Sequence, residues 1–137
     1  MKGVLFSVIL ADMLSIVAGA AFAGDSVIKW HTDVHSALQD ARATNKPVVL
    51  FFTAKWCQYC HKMENDTFTN PAIAHKLNNS FVPLLVDVDE HQDLVDKFKV
   101  DGFPAMLFFG PDGKFRERAS GYKSVDDTRK LLDEAGR

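Results

Sequence analysis

The sequence predicts an α/β domain built on a mixed central sheet with helices on both faces. Three observations predict it. Val48-Val49-Leu50-Phe51-Phe52, residues 81–88 and Ala105-Met106-Leu107-Phe108-Phe109 are short apolar runs without polar alternation, the pattern of strands buried on both faces. Stretches with helical spacing lie between and around these runs, and helices so placed cover a sheet on two sides. Pro111-Asp112-Gly113-Lys114 follows the last run as a hairpin signal, so one further strand folds back antiparallel.

The chain begins with a segment of a different kind. Lys2 gives a short basic start, residues 3–20 are largely apolar, and Ala21-Phe22-Ala23 supplies the small residues that a signal peptidase accepts. Residues 1–23 therefore read as a signal peptide cleaved after Ala23, with residues 24–137 as the domain and an exported, periplasmic location. Asp12 interrupts the apolar run, and a carboxylate is costly to place in hydrocarbon. A retained anchor is the alternative, although the run is short for a span of about 20 residues. Cleavage removes Lys2 and Asp12 together and leaves the net charge of −2 unchanged.

The remaining elements follow in order. Thr32 or Asp33 can cap a helix over residues 34–44, with Val34, Leu38 and Ala41 on one face, and Asn45-Lys46-Pro47 ends it. The strand over 48–52 leads through Thr53-Ala54-Lys55-Trp56 to Cys57, where a second helix starts and continues through Met63. Asn70-Pro71 opens a third, with Asn as cap and Pro in the first turn, carrying Ile73, Ala74 and Leu77. Pro83 suits the start of the next strand or a sheet edge. A short amphipathic helix spans 92–98, and Gly102-Phe103-Pro104 leads into the third strand. The hairpin partner runs over 115–119, Gly121 breaks it, and a terminal helix to Ala135 turns Val125, Leu131 and Leu132 to the core.

Composition narrows the function. With 137 residues, 47% of them hydrophobic and 25% charged, the chain has material for one domain and one core. A net charge of −2 provides no basic field for nucleic acid or an anionic membrane surface. Cys57 and Cys60 are the only cysteines. A bridge across two intervening residues constrains little of the unfolded chain, so stapling explains the pair poorly. A zinc site would need His61 and the scattered His31, His35, His75 and His91, which have no finger-like spacing.

A pair at the start of a helix suits another chemistry. The free N–H groups and positive dipole end of a helix stabilise the thiolate of Cys57 and draw its pKa below the ordinary thiol value. Cys60, one turn further in, is more shielded and suits a resolving thiol that attacks the mixed disulfide. The reaction exchanges a dithiol for a disulfide and calls for no cofactor and no metal.

Trp56-Cys57-Gln58-Tyr59-Cys60 after a buried strand, with Gly102-Phe103-Pro104 opening a later one, resembles the thioredoxin superfamily over residues 27–137. Residues 54–64 are similar to exported thioredoxin-like proteins and to the C-terminal domain of the thiol–disulfide interchange reductases. The resemblance implies a thioredoxin fold and protein disulfide oxidoreductase activity on protein disulfide or dithiol substrates. A membrane thiol electron donor and the reductant direction go with it, since Gln58-Tyr59 differs from both the Gly-Pro of thioredoxins and the Pro-His of strong oxidases. It also implies a cis bond before Pro104 and a substrate surface of Trp56, Phe103 and Pro104. No dimerisation segment is evident, and a monomer is expected. One departure affects mechanism: Phe51 stands where thioredoxins carry a buried Asp, six residues before the nucleophile. Glu64, where the interchange reductases similarly carry a glutamate, is one turn beyond Cys60 and is the candidate proton acceptor, unless it is only a solvated helix residue.

Two rival readings remain. Cys57-Gln58-Tyr59-Cys60-His61 also matches the C-x-x-C-H haem attachment pattern, with His61 as proximal ligand and Met63, Met106 or another His as distal. A binding module could instead use the pair as a redox-sensitive latch on clients, without turnover.

Overall fold

A computed structural model describes residues 27–137; the predicted signal segment and its cleavage position lie outside the described residues. The order of elements is α1 (Val34–Thr44), β1 (Val48–Thr53), α2 (Gln58–Asp66), α3 (Pro71–Ser80), β2 (Val82–Asp87), α4 (Gln92–Phe98), β3 (Ala105–Phe109), β4 (Phe115–Ser120) and α5 (Val125–Ala135). The strands form one sheet in the order β2-β1-β3-β4, with β2 parallel to β1 and the other two pairings antiparallel. This is the mixed α/β architecture that the sequence predicts.

Local chemistry sets the helix ends. The Asp33 carboxylate accepts from Ser36 N at the start of α1, and Asn70 Oδ1 accepts from Ala72 N and Ile73 N at the start of α3. Ser124 performs the same task for α5. α1 ends on Asn45 at φ 54°, a left-handed conformation that asparagine tolerates better than most residues. Two arginines of β4 serve helix C-termini: Arg116 donates to Ala135 O, and Arg118 donates to the carbonyls of Phe98 and Lys99.

Every residue of β1 is buried, as a strand covered on both faces requires. Alternate side chains feed two clusters. Val48, Leu50 and Phe52 join Ala37 and Ala41 of α1, Leu94 and Val95 of α4, and both cysteines. Val49 and Phe51 join Met63, the apolar face of α3, and Leu132 and Ala135 of α5. α2 therefore contributes to both layers. On α1 the buried contacts come from Ala37 and Ala41, whereas Leu38 is 38% exposed and lies outside the core face expected of it.

Pro83 sits in β2, an edge strand. Its carbonyl accepts from His31 N, and Leu85 N donates to His31 O, so a short extension before α1 covers part of that edge. The nitrogen that lacks a hydrogen belongs to this outer side, away from the ladder with β1. The same extension brings in Trp30, whose ring lies 5.8 Å from Phe51 and 5.3 Å from Phe68.

Candidate active site at the start of α2

The sheet register brings three loops together. β1 and β2 are parallel and pair Thr53 with Asp87, so both chains leave the sheet at the same end. β3 runs the other way and pairs Ala105 with Phe52, which brings Phe103 and Pro104 to that end as well. The β1–α2 turn with the cysteines thus lies between the segment after β2 and the segment before β3.

Cys57 is the N-cap of α2, and its Sγ accepts from Cys60 N at 3.2 Å. The two sulfurs form a disulfide, with the Cα atoms 5.2 Å apart. Cys57 is 6% exposed and Cys60 is fully buried, so the first cysteine is the more accessible of the two. A helix N-terminus leaves backbone N–H groups unpaired, and these together with the dipole favour negative charge on the capping sulfur.

Exposed aromatic groups surround the pair. Trp56 is 64% exposed and Tyr59 61%. The Trp56 ring meets Phe103 edge-on at 5.9 Å, and its Nε1 donates to both carboxylate oxygens of Asp89 at 3.3 and 3.1 Å. The Phe103–Pro104 bond is cis. Asp89 has no motif of its own in the sequence, and Tyr59 enters there only as half of the Gln58-Tyr59 dipeptide. Asp89 was detectable in principle, because a parallel β1–β2 pair brings the residues after both strands together.

Phe51 is fully buried in a ring cluster with Trp30 and Phe68, at centroid distances of 5.8 and 4.8 Å. A carboxylate at that position would face aromatic rings and apolar side chains, where burying a charge is costly. Glu64 instead receives two hydrogen bonds: Thr53 Oγ1 donates to Oε1 at 3.0 Å, and His61 Nδ1 lies 3.1 Å from Oε2. His61 Nε2 lies 2.7 Å from the Lys55 carbonyl oxygen. Both partners of the ring are acceptors, so both contacts are satisfied together only by a doubly protonated imidazolium. The hydrogen bond to Lys55 O, followed by that to Glu64, accordingly raises the His61 pKa above its ordinary value. The sign follows directly: any stabilisation from this contact is present below the unfolded-state pKa and fades as pH rises through the higher folded-state value.

The methionines of the haem reading do not share the cysteines' side of the sheet. Both His61 nitrogens are engaged at protein oxygens, and Met63 and Met106 belong to the opposite cluster from the cysteines. His31 contacts Ser36 and Asp40, and His75 contacts Asn79, each away from the cysteine pair. Lys62 pairs with Asp66 and lies 4.8 Å from the Tyr122 ring centroid, which turns its charge along α2.

A buried disulfide capping a helix, beside a cis-proline loop and at the end of a mixed sheet, defines a thiol–disulfide oxidoreductase of the thioredoxin fold. The chain belongs to the thioredoxin-like domain family, whose pattern matches residues 34–136. It is 32% identical over 99 residues to the thiol:disulfide interchange protein DsbD of Campylobacter jejuni (strain RM1221), covering 69% of this chain and 17% of that protein. It is also 32% identical over 90 residues to the protein disulfide isomerase-like 2-2 of Oryza sativa subsp. japonica, covering 66% of this chain and 24% of that protein. The match thus spans less than a quarter of either relative's length. Among solved structures, the reduced C-terminal domain of Neisseria meningitidis DsbD superposes with a TM-score of 0.64 at 26% identity, covering 74% of this chain and 92% of that one. A Thermus thermophilus thioredoxin superposes at 0.71 with 27% identity, covering 79% and 85%. Among the described residues no helix is long and apolar enough to cross a membrane.

Proposed function

We propose that this protein is an exported reductant of protein disulfides, with Cys57 as nucleophile and Cys60 as resolving thiol. The observation that carries the assignment is the position of Cys57 Sγ at the N-cap of α2, with Cys60 sealed one turn behind it. The Cys57 thiolate attacks a client disulfide, forms a mixed disulfide and expels one client thiolate. Cys60 loses its proton, attacks the Cys57 sulfur and releases the second client thiolate, which takes up a proton. Two electrons pass to the client, and the Cys57–Cys60 disulfide seen here is the product state. A thiol donor at the membrane returns the pair to the dithiol, and the protein works as a monomer.

Trp56, Phe103 and Pro104 form the substrate surface in this reading. The exposure of Trp56 and its contact with Phe103 support that role. The signal-peptide pattern ending at Ala23 supports export, similarity to the interchange proteins supports thiol–disulfide exchange, and the Gln58-Tyr59 dipeptide, unlike the Pro-His of strong oxidases, supports the reductant direction. The equilibrium potential, read by thiol trapping in a glutathione or dithiothreitol series, tests the direction. A value near or below about −230 mV is expected, one near −120 mV makes the protein an oxidase, and the lack of a reversible couple removes the assignment.

Glu64 receives the Cys60 proton. The two groups are one helical turn apart on α2, and Glu64 is the carboxylate held against the end of β1 through Thr53. Glu64→Gln should slow resolution of a Cys57 mixed disulfide by about 10²-fold while the initial attack changes far less. An unchanged resolving rate in single-turnover measurements removes Glu64 from the mechanism.

A further inference from the structure

We propose that His61 is the solvent-side half of a two-residue proton path, with Glu64 as the inner half, through which Cys60 discharges its proton. The inference rests on the assignment of Glu64 above and identifies an outlet for that acceptor.

Cys60 is fully buried, so its thiol has no direct exchange with water. Exposure then rises along the path: the side chains of Glu64 and His61 are 34% and 50% exposed. Hydrogen bonding selects the atoms. Oε1 of Glu64 is held by the Thr53 hydroxyl, which leaves Oε2, facing His61 Nδ1, as the oxygen with a titratable partner. Nε2 of His61 is fixed at the Lys55 carbonyl, an acceptor only, so that nitrogen keeps its hydrogen. Nδ1 is therefore the atom whose proton can vary.

The step balances as follows. The Cys60 S–H bond breaks and its proton passes to Glu64, leaving the thiolate that attacks Cys57. With Glu64 protonated, Oε2 and Nδ1 each carry a hydrogen into one contact; His61 releases its proton to water, and the Glu64 proton then passes to Nδ1. The imidazolium and carboxylate are restored, and one proton has moved from Cys60 to solvent. Imidazole suits this task because it exchanges protons near neutral pH.

Few other charges bear on the ring. Glu64, Lys62 and Asp66 share its helix, Lys55 lies on the β1–α2 turn, and Tyr122 approaches from beyond β4. Lys62, Asp66 and Tyr122 are engaged with one another. The charged partner in contact with His61 is Glu64.

Three variants, measured in the full mature chain by single-turnover kinetics over a pH series, test the path. The wild-type resolving step should accelerate as pH rises through the His61 pKa, located independently from imidazole NMR shifts. His61→Gln keeps a donor that does not titrate, and His61→Lys keeps a positive donor that titrates near pH 10.4 in the ordinary case. Both should lose that inflection and slow resolution by roughly 10-fold, less than direct loss of an acid or base group. Wild-type rate and profile in His61→Lys would mean that charge alone matters and would overturn the path. So would equal slowing of attack and resolution in His61→Gln, which is the mark of a merely structural contact. Glu64→Gln separates the two levels: if it leaves resolution intact, the acceptor assignment itself falls, whereas slow Glu64→Gln with fast His61 variants overturns the outlet alone.

Discussion

Cys60→Ser is expected to abolish turnover and to leave the protein trapped as a mixed disulfide between Cys57 and its client. The geometry distinguishes the two sulfurs. Cys57 caps α2 and retains some exposure, whereas Cys60 has none and donates its backbone N–H to the Cys57 sulfur. Without Cys60 the first attack proceeds, because the helix terminus still stabilises the attacking thiolate, but nothing then displaces the client. Non-reducing electrophoresis after incubation with a disulfide-bearing protein should show adducts that collapse on adding dithiothreitol. Cys57→Ser should yield neither turnover nor adducts, since the remaining thiol is sealed. Adducts from Cys57→Ser would reverse the assignment of nucleophile and resolving thiol.

Phe51→Asp, which installs the residue typical of thioredoxins, should unfold the protein or come close to it. Phe51 packs between Trp30 and Phe68, with rings 5.8 and 4.8 Å away, and has no exposure. Removing such a ring costs about 3–5 kcal/mol in cavity and transfer terms. A carboxyl left there without a hydrogen-bond partner adds a further penalty of about 2 kcal/mol or more. Their sum rivals the whole stability of an ordinary domain, about 5–15 kcal/mol. Urea unfolding should show a midpoint collapse for Phe51→Asp and a much smaller shift for Phe51→Leu. A folded Phe51→Asp with near wild-type stability would show that the aromatic cluster yields easily and that the proton chemistry can be relocated there.

These two sites also show what the sequence made legible. The apolar runs and turn residues gave the sheet and its helices closely, because buried strands and caps have local signatures: Asn70-Pro71 caps α3 as expected, and α4 spans Gln92–Phe98. The helix expected from Cys57 through Met63 runs further, to Asp66, since polar residues there carry little periodic signal. What local pattern could not reveal was pairing between distant segments. Trp30 enters the core through the His31–Leu84 bridge, and Trp56 reaches Asp89, 33 residues away. The contacts of His61 with Lys55 O and Glu64 depend on how the turn folds back over α2, which residue spacing alone does not specify.

The cysteines lie within the same apolar cluster as Leu50, Phe52, Val86 and Leu107. Their sulfurs are core atoms as well as redox atoms, so folding and electron transfer share one thermodynamic square. Around that square, the difference in unfolding free energy between the oxidised and dithiol forms equals the difference in reduction potential between the native and unfolded pair. Each 30 mV corresponds to about 1.4 kcal/mol. A calorimeter can therefore serve as a potentiometer for this protein: a reductant gains more stability when its own pair is oxidised than a strong oxidant of the same fold does, and a core substitution that weighs unequally on the two forms also retunes the pair's affinity for electrons.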